Sequence, residues 1–475
     1  MLLGIDLGTS SVKVAVVGED GSVKQVASAG YAMSSPRLGW AETDPAAWWL
    51  ATQNAVKSLS AAHLRAIDTI GVAGQMHGVV LTAQDGQAVR PAILWPDARS
   101  TDEVDRYRRL QPNLLHRLAN PPATGMAGPT LLWLKTHESS IFQNATWALQ
   151  PKDWLRMQLT GEVCGEPTDA SATLLYDFVD DGWAKQVLHE LGIRADLLPE
   201  LVASHEVSGR LTSAAAEKLG IKSGIPVAAG ASDTAASLVG HGVLAPGPVL
   251  LTIGTGAQMT TVRREFRPDP TGCTHVFRTV EYGKWYSMAA ILNAGLALDW
   301  VQKLFGVDWN ALYGSADQVP AGSGGVSFFP YLVSERTPRP QSGTRARWSG
   351  IELHHRREHL LKAALEGVAF ALREAMEALE ATGIPIADLQ LAGGGAADKS
   401  WRQMLADVLG KRLLAAGSPA SAARGAALLG GLAAGKFKSF DDTAALTLQI
   451  TVAAEPGPEA NEYSRLYERW IETHN

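Results

Sequence analysis

Residues 4–13 read Gly4-Ile5-Asp6-Leu7-Gly8-Thr9-Ser10-Ser11-Val12-Lys13, an apolar run that stops at an acidic residue and then turns through Gly, Thr and Ser. The apolar residues Val14 to Val17 follow the turn, so the stretch predicts a β-hairpin. Its tip would expose backbone N–H groups and hydroxyls, which can bind phosphate oxygens. An ordinary N-terminal hairpin fits these residues equally well, so a second loop of this kind is needed to decide.

A similar stretch opens the second half of the chain. The apolar run Val249 to Ile253 enters Gly254-Thr255-Gly256-Ala257, and an extended pattern resumes from Met259 to Val262. Duplicated nucleotide-binding domains would leave such a repeat, although a repeat this short can also arise by chance. We place the domain boundary near Leu244, which divides the chain into residues 1–244 and 245–475.

Three consecutive glycines form a third candidate loop. The predicted strand Asp388 to Ala392 leads into Gly393-Gly394-Gly395, and a predicted helix, Trp401 to Leu409, follows. Glycines between a strand and a helix permit close approach of the backbone by a flat or anionic ligand. Before this loop, apolar residues at helical spacing predict one long amphipathic helix from Leu360 to Thr382.

The N-terminal half alternates strands with helices, which predicts the α/β class. Polar groups follow three of its strands, where α/β proteins usually bind ligands: Gln75-Met76-His77, Asp97-Ala98-Arg99 after Trp95, and Asp233 at the start of a small-residue helix. Asp233 would also serve simply as a helix N-cap. His77 alone would more often be an ordinary loop histidine.

Composition narrows the class of protein. With 46% hydrophobic residues, 19% charged residues and a net charge of −6, the chain has the balance of an ordinary soluble protein, and nothing favours nucleic acid or a membrane surface. Cys164 and Cys273 stand alone without Cys-x-x-Cys spacing, which suggests neither a disulfide framework nor a cysteine zinc site and favours a cytoplasmic location. The small-residue run Gly425 to Gly435 is too short to span a bilayer and predicts a buried helix.

Together these motifs resemble the FGGY carbohydrate kinases. Residues 4–13 look like the family's first phosphate motif, Gly254-Thr255-Gly256 like the second and Gly393-Gly394-Gly395 like the adenosine motif. Phe328 to Pro338 and Gly350-Ile351-Glu352 are similar to its C-terminal signatures. The resemblance implies two actin-like (ribonuclease H-like) ATPase domains that flank a deep cleft.

The resemblance also implies roles for individual residues. Asp233 would be the general base, and Asp6 would hold Mg²⁺. The sugar would meet Gln75, Met76, His77, Trp95, Asp97, Arg99 and Asp233. ATP would meet Gly8, Thr9, Ser10, Lys13, Gly254, Thr255, Gly256, Gly394, Gly395 and Asp398.

Within the family, Gln75-Met76-His77 is most similar to the kinases of D-xylulose, because glycerol kinases typically carry an Arg-Glu pair at Met76-His77. Gly256 and Pro96 depart from the common pattern, which has Ser and Asn there. Kinases of other ketoses or polyols remain the nearest alternative, since a few contacts set sugar choice. A nucleotide-switched interaction protein of the actin or Hsp70 type is the alternative from another class. A homodimer is common in the family.

Overall fold

The computed structural model describes residues 1–333, 335–338, 345–417, 420–446 and 449–474. Ser334, within the motif Phe328 to Pro338, lies outside these ranges.

The described residues form strands that build two large sheets and several small ribbons. In chain order they are β1 (Leu2–Leu7), β2 (Ser11–Val17), β3 (Val23–Gly30), β4 (Glu42–Thr43), β5 (Thr69–Gly74), β6 (Val80–Thr82), β7 (Ala92–Ile93), β8 (Trp147–Leu149), β9 (Tyr176–Asp177), β10 (Gly182–Trp183), β11 (Val207–Arg210), β12 (Pro226–Ala228), β13 (Ala231–Ser232), β14 (Val249–Ile253), β15 (Ala257–Arg263), β16 (His275–Arg278), β17 (Trp285–Ile291), β18 (Ser327–Phe329), β19 (Arg347–Ser349), β20 (Asp388–Ala392), β21 (Arg412–Ala416) and β22 (Ile450–Ala454).

The described residues also form helices, some of which pack on the two large sheets and some on one another. In chain order they are α1 (Pro45–Lys57), α2 (Ala61–Ala66), α3 (Thr101–Arg108), α4 (Pro112–Leu118), α5 (Ala127–His137), α6 (Ser139–Asn144), α7 (Pro151–Thr160), α8 (Pro167–Ala170), α9 (Lys185–Leu191), α10 (Ser213–Leu219), α11 (Asp233–Gly240), α12 (Gly295–Phe305), α13 (Trp309–Gly314), α14 (Arg357–Ala381), α15 (Lys399–Leu409), α16 (Ser421–Ala433), α17 (Phe440–Ala445) and α18 (Ala460–His474).

The two large sheets share one layout. In the first, whose order is β11-β12-β5-β1-β2-β3, the hairpin β1–β2 is antiparallel and β1 lies parallel to β5. In the second, whose order is β16-β17-β15-β14-β20-β21-β22, the hairpin β14–β15 is antiparallel and β14 lies parallel to β20. Both predicted hairpins and the predicted α/β class are therefore confirmed. The boundary near Leu244 stays a prediction.

Helix α16 belongs to the second half of the sequence, yet it packs against β1 and β5 of the first sheet. Glycines permit this close approach, since a Cβ on Gly425 would lie 1.8 Å from the Ala236 carbonyl oxygen of α11, and one on Gly4 would lie 1.7 Å from that of Ala423. The predicted buried helix and the long helix α14 are both confirmed, each within a few residues of its expected ends.

No helix in the described ranges is long and apolar enough to cross a bilayer.

Candidate functional site

The tip of the first hairpin is a tight turn held from several sides. The Gly8 N–H donates to the Ser11 carbonyl at 3.0 Å, and the Tyr31 hydroxyl donates to the Gly8 carbonyl. The Gln75 N–H, at the end of the parallel strand β5, donates to the Leu7 carbonyl at 2.8 Å. These bonds join the ends of β1 and β5, while Thr9 and Ser10 remain accessible at the tip.

Two carboxylates meet at these strand ends. Asp6 pairs with Ala73 across β1 and β5, and Ala231 of β13 pairs with the same Ala73, so Asp233 begins α11 beside the hairpin. Burial raises the pKa of Asp233 to about 6. Burial, and then repulsion from Asp233, raises the pKa of Asp6 to about 7, although Lys13 on the facing strand lowers it. Each carboxylate is thus costly to ionise, as in a site that handles protons or cations.

The simple capping role considered for Asp233 is wrong. Ser232 caps α11, since its hydroxyl accepts from the Ala235 N–H. The Oδ1 atom of Asp233 accepts from the Thr234 N–H at 2.6 Å and from the Thr234 hydroxyl at 3.1 Å. Among the described residues, neither of these hydrogen bonds reaches Oδ2, so the carboxylate is held in place by one oxygen while the other can accept a proton.

His77 is held as a neutral ring. Its Nδ1 lies 2.7 Å from the Ala172 carbonyl, which can only accept, so Nδ1 carries the proton and Nε2 is left as an acceptor. Burial, and then the nearby Arg336, lowers the pKa of His77 to about 3. The backbone of His77 is left-handed, with φ 70°, a conformation that is uncommon outside glycine. A neutral histidine acceptor suits a sugar hydroxyl.

The other residues of this loop face both halves of the molecule. The Gln75 side-chain amide donates to the Gly8 carbonyl at 3.3 Å, which leaves its buried Oε1 without a hydrogen-bond partner in the described ranges. Met76 is buried and its Sδ lies 3.9 Å from the Tyr286 hydroxyl of the second sheet. The Trp95 indole N–H donates to the Thr9 hydroxyl at 2.9 Å. Trp95 therefore links the sugar-side loops to the hairpin tip.

Asp97 and Arg99 lie close by but bind each other. The Arg99 guanidinium donates to Asp97 Oδ1 at 2.9 Å and Oδ2 at 2.8 Å, and it contacts Glu42 Oε1 at 2.7 Å. The Ala41 N–H also donates a hydrogen bond to Asp97 Oδ2 at 2.7 Å. The Arg99 guanidinium lies 3.6 Å from the centroid of the Trp40 ring. Protein groups occupy both oxygens of Asp97, whereas Arg99 Nη1 is buried without a hydrogen-bond partner in the described ranges. This arrangement favours a role in positioning the Trp95 loop over the sugar contact that the sequence predicts, and it leaves one donor of Arg99 open.

Replacing Arg99 with methionine separates these two roles. Asp97 and Glu42 would lose a buried partner, so we expect the free energy of unfolding to fall by about 3–5 kcal/mol. The KM for the sugar should change by less than about threefold at a temperature where the variant is folded, since no direct contact is removed. Urea unfolding and steady-state kinetics measure the two effects.

Arg37→Met is the matched control for Arg99→Met. Arg37 also lies over Trp40, at 4.9 Å, but it is exposed. Its loss should change stability by less than about 0.5 kcal/mol. A stable Arg99→Met variant with a strongly raised sugar KM would instead favour direct sugar binding.

The second glycine loop closes onto a helix. The Gly254 N–H donates to the Gly256 carbonyl at 2.8 Å, and the Leu296 N–H of α12 donates to the Thr255 carbonyl at 2.7 Å. A Cβ at position 256 would lie 2.7 Å from the Ile291 carbonyl oxygen. This close contact explains the glycine there, where serine is commoner in the family. Gly254 and Thr255 are exposed and able to meet a ligand.

The triple glycine lies against the same loop. Gly393 has φ 84°, and a Cβ on it would lie 2.2 Å from the Ile253 carbonyl oxygen, whereas Gly394 is exposed and faces open space. Gly395 also lies close to Ile253, because a Cβ on Gly395 would come within 2.6 Å of the Ile253 side chain. Asp398 caps α15 by accepting from the Trp401 N–H at 2.9 Å, so one of its oxygens serves the helix.

Sequence reasoning missed several residues that shape this site. Thr234 fixes Asp233, and the Oε1 of Gln258 of β15 lies 3.2 Å from the Thr234 hydroxyl as an alternative acceptor for its single proton. Tyr286 reaches Met76 from the second sheet. Arg336 lies over Trp95, and its place within the motif Phe328 to Pro338 is the signal that could have identified it.

The site also offers a place for a divalent cation. The described residues contain no cluster of three or more His, Cys, Asp or Glu side chains that would hold a metal by themselves. Asp6 Oδ1, however, is buried and has no hydrogen-bond partner within the described part of the chain. A single carboxylate with a free oxygen fits Mg²⁺, which keeps most of its water and binds through one or two carboxylates and phosphates.

The chain matches the N-terminal domain of the FGGY family of carbohydrate kinases over residues 1–240 and its C-terminal domain over residues 249–434. It is 34% identical over 482 residues to a xylulose kinase of Bacillus subtilis (strain 168), covering 100% of this chain and 97% of that protein. A gluconokinase of the same organism is 29% identical over 456 residues, covering 93% of this chain and 89% of that protein.

Among solved structures, a xyloylose kinase from Brucella ovis superposes with a TM-score of 0.91 and 33% identity, covering 99% of this chain and 98% of that one. The two-domain fold and the sugar-kinase activity expected from the sequence are thereby confirmed. The protein is a sugar phosphotransferase that belongs to the FGGY family of carbohydrate kinases.

Proposed function

We propose that the protein transfers the γ-phosphoryl group of ATP to the terminal hydroxyl of D-xylulose. The observation that carries the proposal is the interacting pair Asp6 and Asp233 at the joined ends of β1, β5 and β13, with the neutral His77 in the loop that directly follows β5. Full-length similarity to xylulose kinases supports this choice of sugar.

The free Oδ2 of Asp233 accepts the proton of the sugar hydroxyl. That hydroxyl oxygen forms a bond to the γ-phosphorus while the bond from this phosphorus to the β–γ bridging oxygen breaks and ADP leaves. Such transfers pass through a loose transition state, so positioning matters more than a strong base. A pKa of about 6 keeps Asp233 ionised at neutral pH and able to accept the proton late in the step.

The remaining residues bind and orient. The His77 Nε2 accepts from a sugar hydroxyl, Met76 forms an apolar wall, and the Trp95 ring packs on the sugar's C–H face. Thr9, Ser10, Gly254 and Thr255 donate to phosphate oxygens. Lys13 adds a positive charge opposite Asp6.

Asp6 would hold Mg²⁺ through its unpartnered oxygen, with water and phosphate oxygens as the other ligands. When bound, the metal neutralises charge on the β- and γ-phosphates.

We also propose a cytoplasmic location. Cys164 is buried and Cys273 is partly buried, and both thiols are free, which suits a reducing compartment.

A panel of acceptors tests the proposed sugar. ADP release would be measured with D-xylulose, D-ribulose, glycerol and D-gluconate, and the product identified by phosphorus NMR. We expect kcat/KM for D-xylulose to exceed the others by at least about 100-fold, as a site built on hydrogen bonds to hydroxyls can achieve. A preference for D-gluconate or D-ribulose would replace the proposed substrate. ATP hydrolysis that no sugar stimulates would instead favour an interaction ATPase.

A further inference from the structure

Arg336 is held rigidly at the edge of the second sheet. On one side Glu335 accepts from the Leu292 N–H at 2.7 Å and from the Asn293 side chain at 2.9 Å. On the other side the Thr337 N–H donates to the Ala290 carbonyl at 3.1 Å, and the Ala290 N–H donates to the Thr337 hydroxyl at 3.1 Å. The backbone that carries Arg336 is therefore fixed to β17 and to the turn before α12.

The guanidinium itself has no hydrogen-bond acceptor among the residues that the structure describes. Within the described ranges, the one hydrogen bond of Arg336 comes from its backbone N–H, to Glu335 Oε1 at 2.9 Å. Burial lowers the pKa of Arg336, and Glu335 alone raises it, yet the guanidinium remains charged at any working pH. Arg336 is partly buried and none of its guanidinium nitrogens is fully cut off from solvent, so its five N–H donors face space that a ligand can enter to supply acceptors.

The guanidinium points from the second half of the chain onto the sugar side of the first. It lies 5.8 Å from the Trp95 ring centroid, and Trp95 in turn donates to Thr9 at the hairpin tip. Its charge also lowers the pKa of His77 and of His275, both buried. Arg336 therefore lies beside Trp95, one of the residues assigned to the sugar, and Trp95 connects it to the loop assigned to phosphate.

A neutral sugar needs no cation there, but an oxyanion does. The planar fork of a guanidinium matches the oxygens of a phosphoryl group. We propose that Arg336 binds the phosphoryl group as it passes to the sugar and then the phosphate of the phosphosugar. This inference rests on the proposed kinase reaction, but it does not depend on which sugar accepts the phosphoryl group.

Calorimetric titration of the nucleotide-free enzyme tests this role. The probes are D-xylulose, D-xylulose 5-phosphate and D-gluconate, and the variants are Arg336→Met and Arg336→Lys. We expect Arg336→Met to weaken D-xylulose 5-phosphate binding by about 10- to 100-fold, the strength of a hydrogen-bonded ion pair, and to leave D-xylulose binding within about threefold. Lysine should restore part of the loss, since it keeps the charge and loses the fork. In turnover, kcat should fall while the KM for the sugar stays nearly constant.

Arg347→Met is the matched control, because Arg347 also lies over an aromatic ring, that of Phe329 at 4.1 Å, but outside this site. It should bind all three probes as the wild type does, and thermal melting of each variant verifies the fold. Unchanged phosphosugar binding in Arg336→Met would overturn the proposal, as would an equal loss for D-xylulose. A loss of affinity confined to D-gluconate would also overturn the proposal, because the Arg336 guanidinium would then bind a carboxylate and not a phosphate.

The outcome is separable from the choice of sugar. If the acceptor panel identifies a sugar other than D-xylulose, the proposed substrate fails, and the titrations are made with that sugar and its phosphoester. If D-xylulose is the substrate and Arg336→Met binds both ligands normally, Arg336 has no such role and the proposed function stands.

Discussion

Asp233→Asn is expected to lower kcat by about 1,000-fold, within the range of a lost general base, and to leave the fold intact. The amide oxygen can still accept from the Thr234 N–H and hydroxyl, so the start of α11 keeps its hydrogen bonds. The KM for the sugar should change much less than kcat, because the proton moves only in the transition state. Steady-state kinetics with D-xylulose and ATP measures both constants.

The same variant should be more stable than the wild type at alkaline pH. The pKa of Asp233 is raised to about 6 in the folded protein, so its stabilising proton is retained at low pH and lost as the pH rises through 6. Above that pH the wild type carries the cost of a buried carboxylate, which asparagine removes. We expect a gain of about 1–3 kcal/mol near pH 8 that shrinks toward pH 4.

In the wild type, kcat should fall as the pH drops through about 6, since Asp233 must be ionised to accept the proton.

Asp308→Asn controls for the chemical change itself. Asp308 caps α13 by accepting from the Ala311 N–H at 2.7 Å, and asparagine caps helices equally well. The kcat of the Asp308→Asn variant and the pH dependence of its stability should match those of the wild type. Near-normal turnover in Asp233→Asn, with ATP affinity and fold retained, would exclude Asp233 as the base.

Sequence reasoning found the parts of this site that local pattern encodes. A few neighbouring residues are enough to determine each strand end, each hairpin turn and the helix start at Asp233. Pairing between distant residues was not readable. Asp97 and Arg99 look free until the fold brings Trp40 and Glu42 beside them.

Contacts between the two halves were equally hidden from the sequence. Position 256 requires glycine because the Ile291 carbonyl, 35 residues further along the chain, leaves no space for a side chain. Arg336 reaches Trp95 only because two domains fold against each other. Periodicity and turn chemistry carry no information on such packing, so the residues that complete a cleft from its far side are the hardest to predict.

Asp6→Asn is expected to weaken the apparent affinity for Mg²⁺ by at least about tenfold and to lower kcat on the order of 100-fold. The reason is that Asp6 Oδ1 is buried without a hydrogen-bond partner in the described residues, so an amide there loses the charge that would bind the cation. Activity measured across free Mg²⁺ concentrations, at fixed ATP, gives both values.

A pH effect distinguishes a metal-binding Asp6 from one that only shapes the turn. The pKa of Asp6 is raised to about 7, and only the ionised carboxylate binds Mg²⁺, so protons and metal compete. Apparent Mg²⁺ affinity should therefore increase as the pH rises through about 7 in the wild type, and this dependence should disappear in Asp6→Asn. Asp20→Asn, in the exposed turn between β2 and β3, should retain this dependence. If Asp6→Asn kept the wild-type Mg²⁺ dependence at every pH, the metal would have to be held by the phosphates of ATP alone, and the buried oxygen of Asp6 would serve only the charge balance around Asp233.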